Sequence, residues 1–175
     1  MALVIRRPRS KDAERIAAVH VATWKETYID LLPEGFFTEE HSGMRREMWT
    51  RILAEQRDEW SIRVAEVDGE IIGFAMAGPA QDAAESASLP SRALYTVYVL
   101  RSHYGTGAGQ ALLDSTLGLN SGSGSGIEAE PVSLWVAKQN PRAIAFYLRN
   151  GFRFDGAEQQ DPGAPAITDA RMVRP

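Results

Sequence analysis

A glycine-rich segment just past the middle of the chain has the residue types and spacing of an anion-binding loop. Gly105, Gly107 and Gly109 follow an apolar, β-branched stretch, Leu94–Leu100, and lead into a stretch with helical spacing, Ala108–Leu119. Glycines allow successive backbone N–H groups to turn inward, and the start of the helix adds its dipole. This arrangement suits phosphate or pyrophosphate. A tight strand-to-helix connection that binds no ligand is the alternative.

Two common phosphate-binding motifs do not fit this loop. A P-loop requires Gly-Lys-Ser/Thr, and no lysine directly follows these glycines. A dinucleotide fingerprint requires a third glycine at the sixth position, where Gln110 stands, and an acidic residue at the end of the second strand. The next predicted strand, Val132–Val136, is followed by Ala137. The sequence therefore disfavours a nicotinamide enzyme.

A second segment with functional residue types, Asn140–Phe152, reads Asn-Pro-Arg-Ala-Ile-Ala-Phe-Tyr-Leu-Arg-Asn-Gly-Phe. Asn140 is suited to cap a helix whose first turn holds Pro141, and Gly151 is suited to end it. The helix carries Tyr147 on its apolar face. A phenol with a pKa of about 10 is protonated at neutral pH, so it can donate a proton.

Together the two segments resemble motifs A and B of the GNAT superfamily of N-acetyltransferases, in its bacterial type. The first is similar to the family pattern Gln/Arg-x-x-Gly-x-Gly/Ala, directly after the fourth core strand, and covers Tyr104–Gly109. The second is similar to the pattern Asn…Ala…Phe-Tyr…Gly-Phe and covers Asn140–Phe152. The strong resemblance spans Leu94–Phe152, and the preceding helices and hairpin agree with the family in order.

The resemblance implies that acetyl-CoA is the acetyl donor. In the family the fourth and fifth strands splay apart, and the pantetheine arm pairs with exposed backbone of the fourth strand, here Val97, Tyr98 and Val99. Asn140 would bind the same arm, and Phe146 would pack against the donor. The residues whose amides would wrap the pyrophosphate are Tyr104, Gly105, Thr106, Gly107, Ala108, Gly109 and Gln110.

The resemblance also implies that Tyr147 is the general acid that protonates the departing thiolate. Because the chain has no cysteine to form a thioester, the implied mechanism is direct transfer to an amine in a ternary complex. These residues have plainer alternatives. Tyr147 and Phe146 could be ordinary core side chains, and Asn140 could act only as a helix cap.

The sequence departs from the family at two positions. Tyr104 stands where the family has Gln or Arg, which removes a side-chain donor but leaves the amides. Many members carry a general-base Glu six residues before the last valine of the strand; here that residue is Ala93, which cannot accept a proton. Water, or Glu26, Asp30 or His20 of the first helix region, would replace that base, unless an acceptor of low amine pKa needs none. A solvated helix face or a satisfied histidine is the alternative for these three.

Trp24 and Tyr28 are the candidates for binding the acceptor. With the following Leu31-Leu32-Pro33 they resemble the first helix and loop of many bacterial members that act on small molecules. The resemblance implies that they wall the acceptor site, and simple core packing is the alternative. The acceptor would be a small-molecule or peptide amine, and a homodimer is left open.

Composition supports a globular protein. Of the 175 residues, 44% are apolar and 24% charged, which predicts one domain over residues 1–175. The net charge of −4 argues against a nucleic-acid partner. The absence of cysteine and of His/Asp/Glu ligand spacing predicts no metal. No apolar run reaches the roughly 20 residues of a membrane helix and no signal-peptide pattern opens the chain, so a cytoplasmic protein without a membrane partner is expected.

Periodicity and turn residues predict an α/β fold with a mixed central sheet, in the order β-α-α-β-β-β-α-β-α-β-β. Asp68-Gly69 predicts a tight hairpin, and Thr38 predicts the start of the second helix. The Gly/Ser-rich segment Asn120–Glu130 predicts a flexible loop within the domain. Acetyl transfer is the leading function. A CoA-binding regulatory module without turnover, favoured by Ala93, is the alternative, and a pure interaction domain would bind no CoA.

Overall fold

Seven strands form one mixed sheet in the order β1-β2-β3-β4-β5-β7-β6, within a computed structural model that describes residues 2–55, 57–83, 86–119 and 130–175. The strands are β1 Leu3–Arg6, β2 Ser61–Val67, β3 Glu70–Pro79, β4 Arg92–Val99, β5 Val132–Ala137, β6 Arg153–Asp161 and β7 Ala164–Arg174. The helices are α1 Ala13–Tyr28, α2 Glu39–Ala54, α3 Ala108–Leu117 and α4 Pro141–Arg149. This order confirms the predicted α/β architecture. The predicted loop at Asn120–Glu130 lies, except for Glu130, outside the described residues.

Local sequence signals position several of these elements. The Thr38 hydroxyl accepts a hydrogen bond from the His41 N–H at 3.1 Å and caps α2. The Asn140 carbonyl oxygen accepts one from the Ala143 N–H at 3.1 Å and caps α4, whose first residue is Pro141. The hairpin between β2 and β3 turns through left-handed residues at 68 and 69, as the Asp-Gly pair predicts.

Helices cover both faces of the sheet. On one face α1 and α2 bury Ile16 and Trp49 against Phe74 of β3. On the other face α3 packs Leu113 into a cluster with Phe152. Burying a large apolar side chain contributes about 1.5–3 kcal/mol, so the two layers hold the sheet rigid around its centre. No helix in the described part of the chain is long and apolar enough to cross a membrane.

The centre of the sheet contains its only parallel pair among the described strands, β4 with β5, and this pairing is short. Arg92–Leu94 pair with Val132–Leu134, and no further pairs follow between these strands. On the other side of β4, Leu94 and Thr96 face consecutive residues of β3, so Tyr95 is an extra, bulged residue. The bulge bends β4 at the point where it leaves β5, and a cleft opens between the two strands.

Candidate active site

A cleft of about 770 Å³ lies where β4 and β5 separate, a volume typical of a small-molecule site. It brings together α1, β4, the loop before α3, β5, α4 and β7, which are far apart in the sequence. The predicted site residues that line it are Trp24, Tyr28, Val97, Tyr98, Val99, Tyr104, Gly105, Gly107, Ala108, Gly109, Gln110, Asn140, Phe146 and Tyr147. Among the residues predicted to bind the donor or the acceptor, Thr106 alone does not line the cleft.

The glycine loop forms one end of the cleft. Gly105 and Gly107 have φ values of +77° and +87°, which favour glycine, and no atom lies within 4 Å of where a Cβ would stand. Gly107 directly precedes α3, so the positive end of that helix faces the loop. The Thr106 hydroxyl donates to the His103 carbonyl oxygen at 2.8 Å and holds the loop closed. The loop therefore offers amides and open space to an anion.

Arginine adds positive charge at the same end. The Arg142 guanidinium lies 3.9 Å from the centre of the Tyr104 ring, a cation–π contact between α4 and the loop. Arg142, Arg149 and His103 all line the cleft. Tyr104 stands where the family that the sequence resembles has Gln or Arg. Its ring is uncharged, but it holds the Arg142 guanidinium beside the loop. Sequence reasoning missed this contact because the partners are 38 residues apart.

Val97–Val99 present backbone to the cleft. Their other edge pairs with Gly73–Ala75 of β3, whereas towards β5 they have no strand partner among the described residues. Thr96 lines the same cleft, and its buried hydroxyl has no hydrogen-bond partner in the described part of the chain. The backbone groups of this free strand edge have the capacity to form hydrogen bonds with a bound molecule.

Asn140 links two walls of the cleft. Besides its capping bond, its side-chain nitrogen donates to the Tyr28 hydroxyl at 3.2 Å, which connects α4 to α1. Both polar atoms of the side chain thus have a partner within the protein. Its expected contact with the pantetheine arm stays a prediction, and its capping and bridging roles are what the geometry supports directly.

Tyr147 lies on α4 with 9% of its surface exposed. Its ring packs between those of Phe146 and Phe152, with centres 5.3 and 5.7 Å away. Its hydroxyl has no hydrogen-bond partner among the described residues, and burial raises its pKa well above the ordinary value. The Tyr147 phenol therefore keeps its proton at neutral pH, and no described residue accepts a hydrogen bond from it.

Aromatic side chains of α1 form the opposite wall. The Trp24 indole N–H donates to the Tyr98 hydroxyl at 3.1 Å, and the rings of Trp24 and Tyr28 lie 5.1 Å apart. Phe36 stacks on Trp24 from the loop after α1. Burial raises the pKa of Tyr98 to about 12, so this phenol also stays neutral.

The proposed replacements for a strand base do not reach the cleft. The Glu26 carboxylate accepts a hydrogen bond from the Arg101 N–H at 2.9 Å and so holds the turn after β4. His20 is buried and accepts from the Trp49 indole N–H at 3.1 Å, and burial lowers its pKa to about 3. Asp30 is exposed in the turn after α1. None of the three lines the cleft, and neither does Ala93, which is buried.

The cleft does contain a carboxylate that sequence reasoning missed. Asp169 of β7 lines it, half-buried, and burial raises the pKa of this side chain, with a smaller contribution from Asp161. Asp169 lies opposite Ala137 in the pairing of β7 with β5. No local pattern marks the residue, because that pairing alone brings it to the cleft. No group of three or more His, Asp or Glu in the described residues could hold a metal ion.

Comparison with known proteins agrees with this geometry. A family model described as the acetyltransferase (GNAT) family matches residues 13–152. An uncharacterized N-acetyltransferase of Bacillus subtilis is 29% identical over 148 residues, covering 83% of this chain and 77% of the relative. A probable N-acetyltransferase of Mycobacterium tuberculosis is 28% identical over 155 residues, covering 87% and 80%.

Solved structures share the fold. The PaiA N-acetyltransferase of Thermoplasma acidophilum, in complex with coenzyme A, superimposes with a TM-score of 0.68 at 21% identity over 99% of each chain. A histone acetyltransferase HPA2 and related acetyltransferase of Corynebacterium glutamicum gives a TM-score of 0.69 at 22% identity over 100% of this chain and 97% of the other. The family match covers both glycine loop and α4, and the chain therefore belongs to the acetyltransferase (GNAT) family and is an acetyltransferase.

Proposed function

We propose that the protein transfers an acetyl group directly from acetyl-CoA to an amine acceptor bound in the same cleft, with Tyr147 as general acid. One observation carries this proposal. Because β4 leaves β5 after Leu94, the unpaired strand backbone, the glycine loop and Tyr147 all line one cleft. This arrangement supports a site in which donor, acceptor and acid meet.

The residues of the cleft fit the donor. The positive φ angles at Gly105 and Gly107, with open space around both, let loop amides approach a pyrophosphate. The N-terminus of α3 and the guanidinium of Arg142 supply positive potential there. The unpaired backbone of Val97–Val99 provides the hydrogen bonds of an open strand edge, which suits the amide groups of a pantetheine arm.

Proton transfer follows from the chemistry of the groups present. Acetyl-CoA supplies an activated acetyl thioester. The lone pair of a neutral amine forms the new C–N bond, and the C–S bond breaks with its electron pair on sulfur. Tyr147 donates its proton to that sulfur, and the proton lost by the amine restores the phenol through water. The chain has no cysteine to carry the acetyl group as a thioester, which supports a mechanism in which both substrates are bound at once.

The acceptor must lose a proton before it attacks, and β4 carries no Asp, Glu or His that could take it. We propose that water carries this proton; a carboxylate elsewhere in the cleft, such as Asp169, is the alternative base that the pH dependence below would detect. The rate rises with pH until the acceptor amine is largely neutral. The inflection of kcat/KM against pH should move when an acceptor of different amine pKa is used, whereas an enzyme base would hold it in place.

A thiol assay tests the proposal cleanly. Since the chain has no cysteine, a thiol reagent reacts only with released CoA. We expect CoA to bind in the presence of a chelator, and thiol release from acetyl-CoA to depend on an amine drawn from a panel. CoA binding without amine-dependent release would contradict the proposal and favour a regulatory CoA-binding role. A burst of thiol without acceptor would contradict direct transfer.

A further inference from the structure

The charges along the cleft are divided between its two ends. Its cationic lining residues, Arg142 and Arg149, belong to α4, beside the glycine loop, whereas its carboxylates, Asp161 and Asp169, belong to β6 and β7. A phosphate-bearing donor matches the cationic end. The anionic end needs a different ligand, and that end is where the aromatic side chains of α1 also lie.

Strand pairing puts Asp169 on the α1 side of the sheet. Directly paired residues of an antiparallel pair point to the same face, and Asp169 pairs with Ala137. Ala137 packs in a cluster with Tyr28 and Ile167. After burial, which is the main cause, the charge of Asp169 is among the influences that raise the pKa of Tyr28 and of Tyr98. The carboxylate therefore lies near the wall assigned to the acceptor.

The carboxylate of Asp169 has no oppositely charged partner among the described residues. No hydrogen bond or ion pair joins its carboxylate to any described residue. Two basic residues next to this part of the sheet, Arg171 and Lys138, form ion pairs with other carboxylates. Arg171 binds Asp155 at 2.6 Å and Asp82 at 3.2 Å, and Lys138 binds Glu158 at 2.6 Å. A half-buried carboxylate loses hydration without compensation, which a cation in the cleft would supply.

The second carboxylate of this end is already engaged. Asp161 accepts a hydrogen bond from the Gly163 N–H at 2.8 Å within its own turn. It still contributes negative charge, because it raises the pKa of Asp169 after the larger effect of burial. The two charges together attract a cation and repel a carboxylate.

Resting on the proposed function, we propose that Asp169 binds the acceptor in its ammonium form, before water removes the proton for attack, and selects net-cationic amines with an apolar or aromatic body. The rings of Trp24, Tyr28 and Trp135 line the cleft and suit such a body. An amino acid with the same side chain brings its own carboxylate to the anionic end of the cleft, so it should bind more weakly than the amine.

Two ligands that differ only in a carboxylate test the assignment. 2-Phenylethylamine and phenylalanine are titrated calorimetrically at pH 7 into the protein saturated with CoA, so that no turnover occurs. We expect the wild type to bind 2-phenylethylamine at least ~10-fold tighter than phenylalanine. Asp169→Asn should weaken binding of the amine at least ~10-fold and bring the ratio near one, as expected when a charge-assisted hydrogen bond is lost.

Glu59→Gln is the matched control. It removes the same charge from the turn before β2, but Glu59 is exposed, has no ion pair among the described residues and does not line the cleft. This variant should keep the wild-type ratio. The ratio also separates binding from folding, since partial unfolding lowers the apparent occupancy of both ligands alike.

The assignment is overturned if Asp169→Asn keeps the wild-type ratio, if Glu59→Gln loses it equally, or if the wild type binds neither ligand or prefers phenylalanine. The proposed reaction is judged separately by amine-dependent thiol release. Discrimination without any release would contradict the reaction and leave Asp169 as a cation-binding residue. If Asp169→Asn leaves thiol release unchanged with every cationic amine tested, the role assigned to Asp169 is contradicted, whereas the proposed reaction is not.

Discussion

Tyr147→Phe removes one oxygen atom and leaves the ring that packs between Phe146 and Phe152. Because the hydroxyl has no partner among the described residues, the substitution breaks no hydrogen bond that the structure shows within the protein. The free energy of unfolding should therefore change by less than about 1 kcal/mol. The affinity for CoA should also be retained, since the glycine loop and the edge of β4 are untouched.

The expected loss is in turnover. A positioned general acid contributes about 10²–10⁴-fold, which corresponds to about 3–5 kcal/mol of activation free energy. Burial raises the pKa of Tyr147 well above its ordinary value, so the phenol is protonated throughout the accessible pH range. The wild type should accordingly show no fall in kcat towards pH 9 that comes from this residue.

The assay is thiol release at saturating acetyl-CoA with the best acceptor of the panel, together with calorimetric CoA binding and thermal unfolding. We expect kcat to fall at least ~100-fold while both other quantities stay near the wild-type values. A fall in kcat of less than about threefold, with chemistry rate-limiting, would refute the role of Tyr147 and show that the thiolate leaves unassisted. An equal loss of CoA affinity would instead indicate a packing role.

Two further outcomes are expected. Gly107→Asp should abolish CoA binding because it places a negative charge beside the pyrophosphate site. Gly107→Asn, in which the new side chain has nearly the same shape and tolerates positive φ, should weaken CoA binding far less. Gly118→Asp, at the other end of α3 with φ +73°, should leave CoA binding intact. CoA titration of the three variants checks this, and normal binding by Gly107→Asp would contradict the loop assignment. His20, whose pKa burial lowers from 6.5 to about 3, binds a proton in the unfolded chain before it does in the folded one. Its contribution to stability is therefore full above pH 6.5 and lost as the pH falls towards 3, by about 2 kcal/mol at pH 5. Denaturant unfolding at pH 7.5 and pH 5 measures this loss in the free energy of unfolding. His20→Asn, whose amide oxygen can still accept the Trp49 N–H, should reduce the difference between the two pH values. An unchanged difference would show that other groups cause it.

Local chemistry in the sequence was enough to predict the elements and the glycine loop. Thr38 and Asn140 cap helices because a short polar side chain next to a helix start satisfies its free N–H groups. Gly105 and Gly107 adopt positive φ, which glycine does with less strain than residues that carry a Cβ. Such effects act within a few residues, so they can be read without knowing the rest of the fold.

The acceptor side of the cleft was decided by tertiary structure alone. The sequence directed attention to Glu26, Asp30 and His20, yet Glu26 holds the turn after β4, Asp30 is exposed and His20 is buried against Trp49. Asp169 enters the cleft because β7 pairs with β5 in one particular register, and a shift of one residue would turn its side chain to the other face. That register follows from packing between segments more than thirty residues apart, which no local pattern encodes.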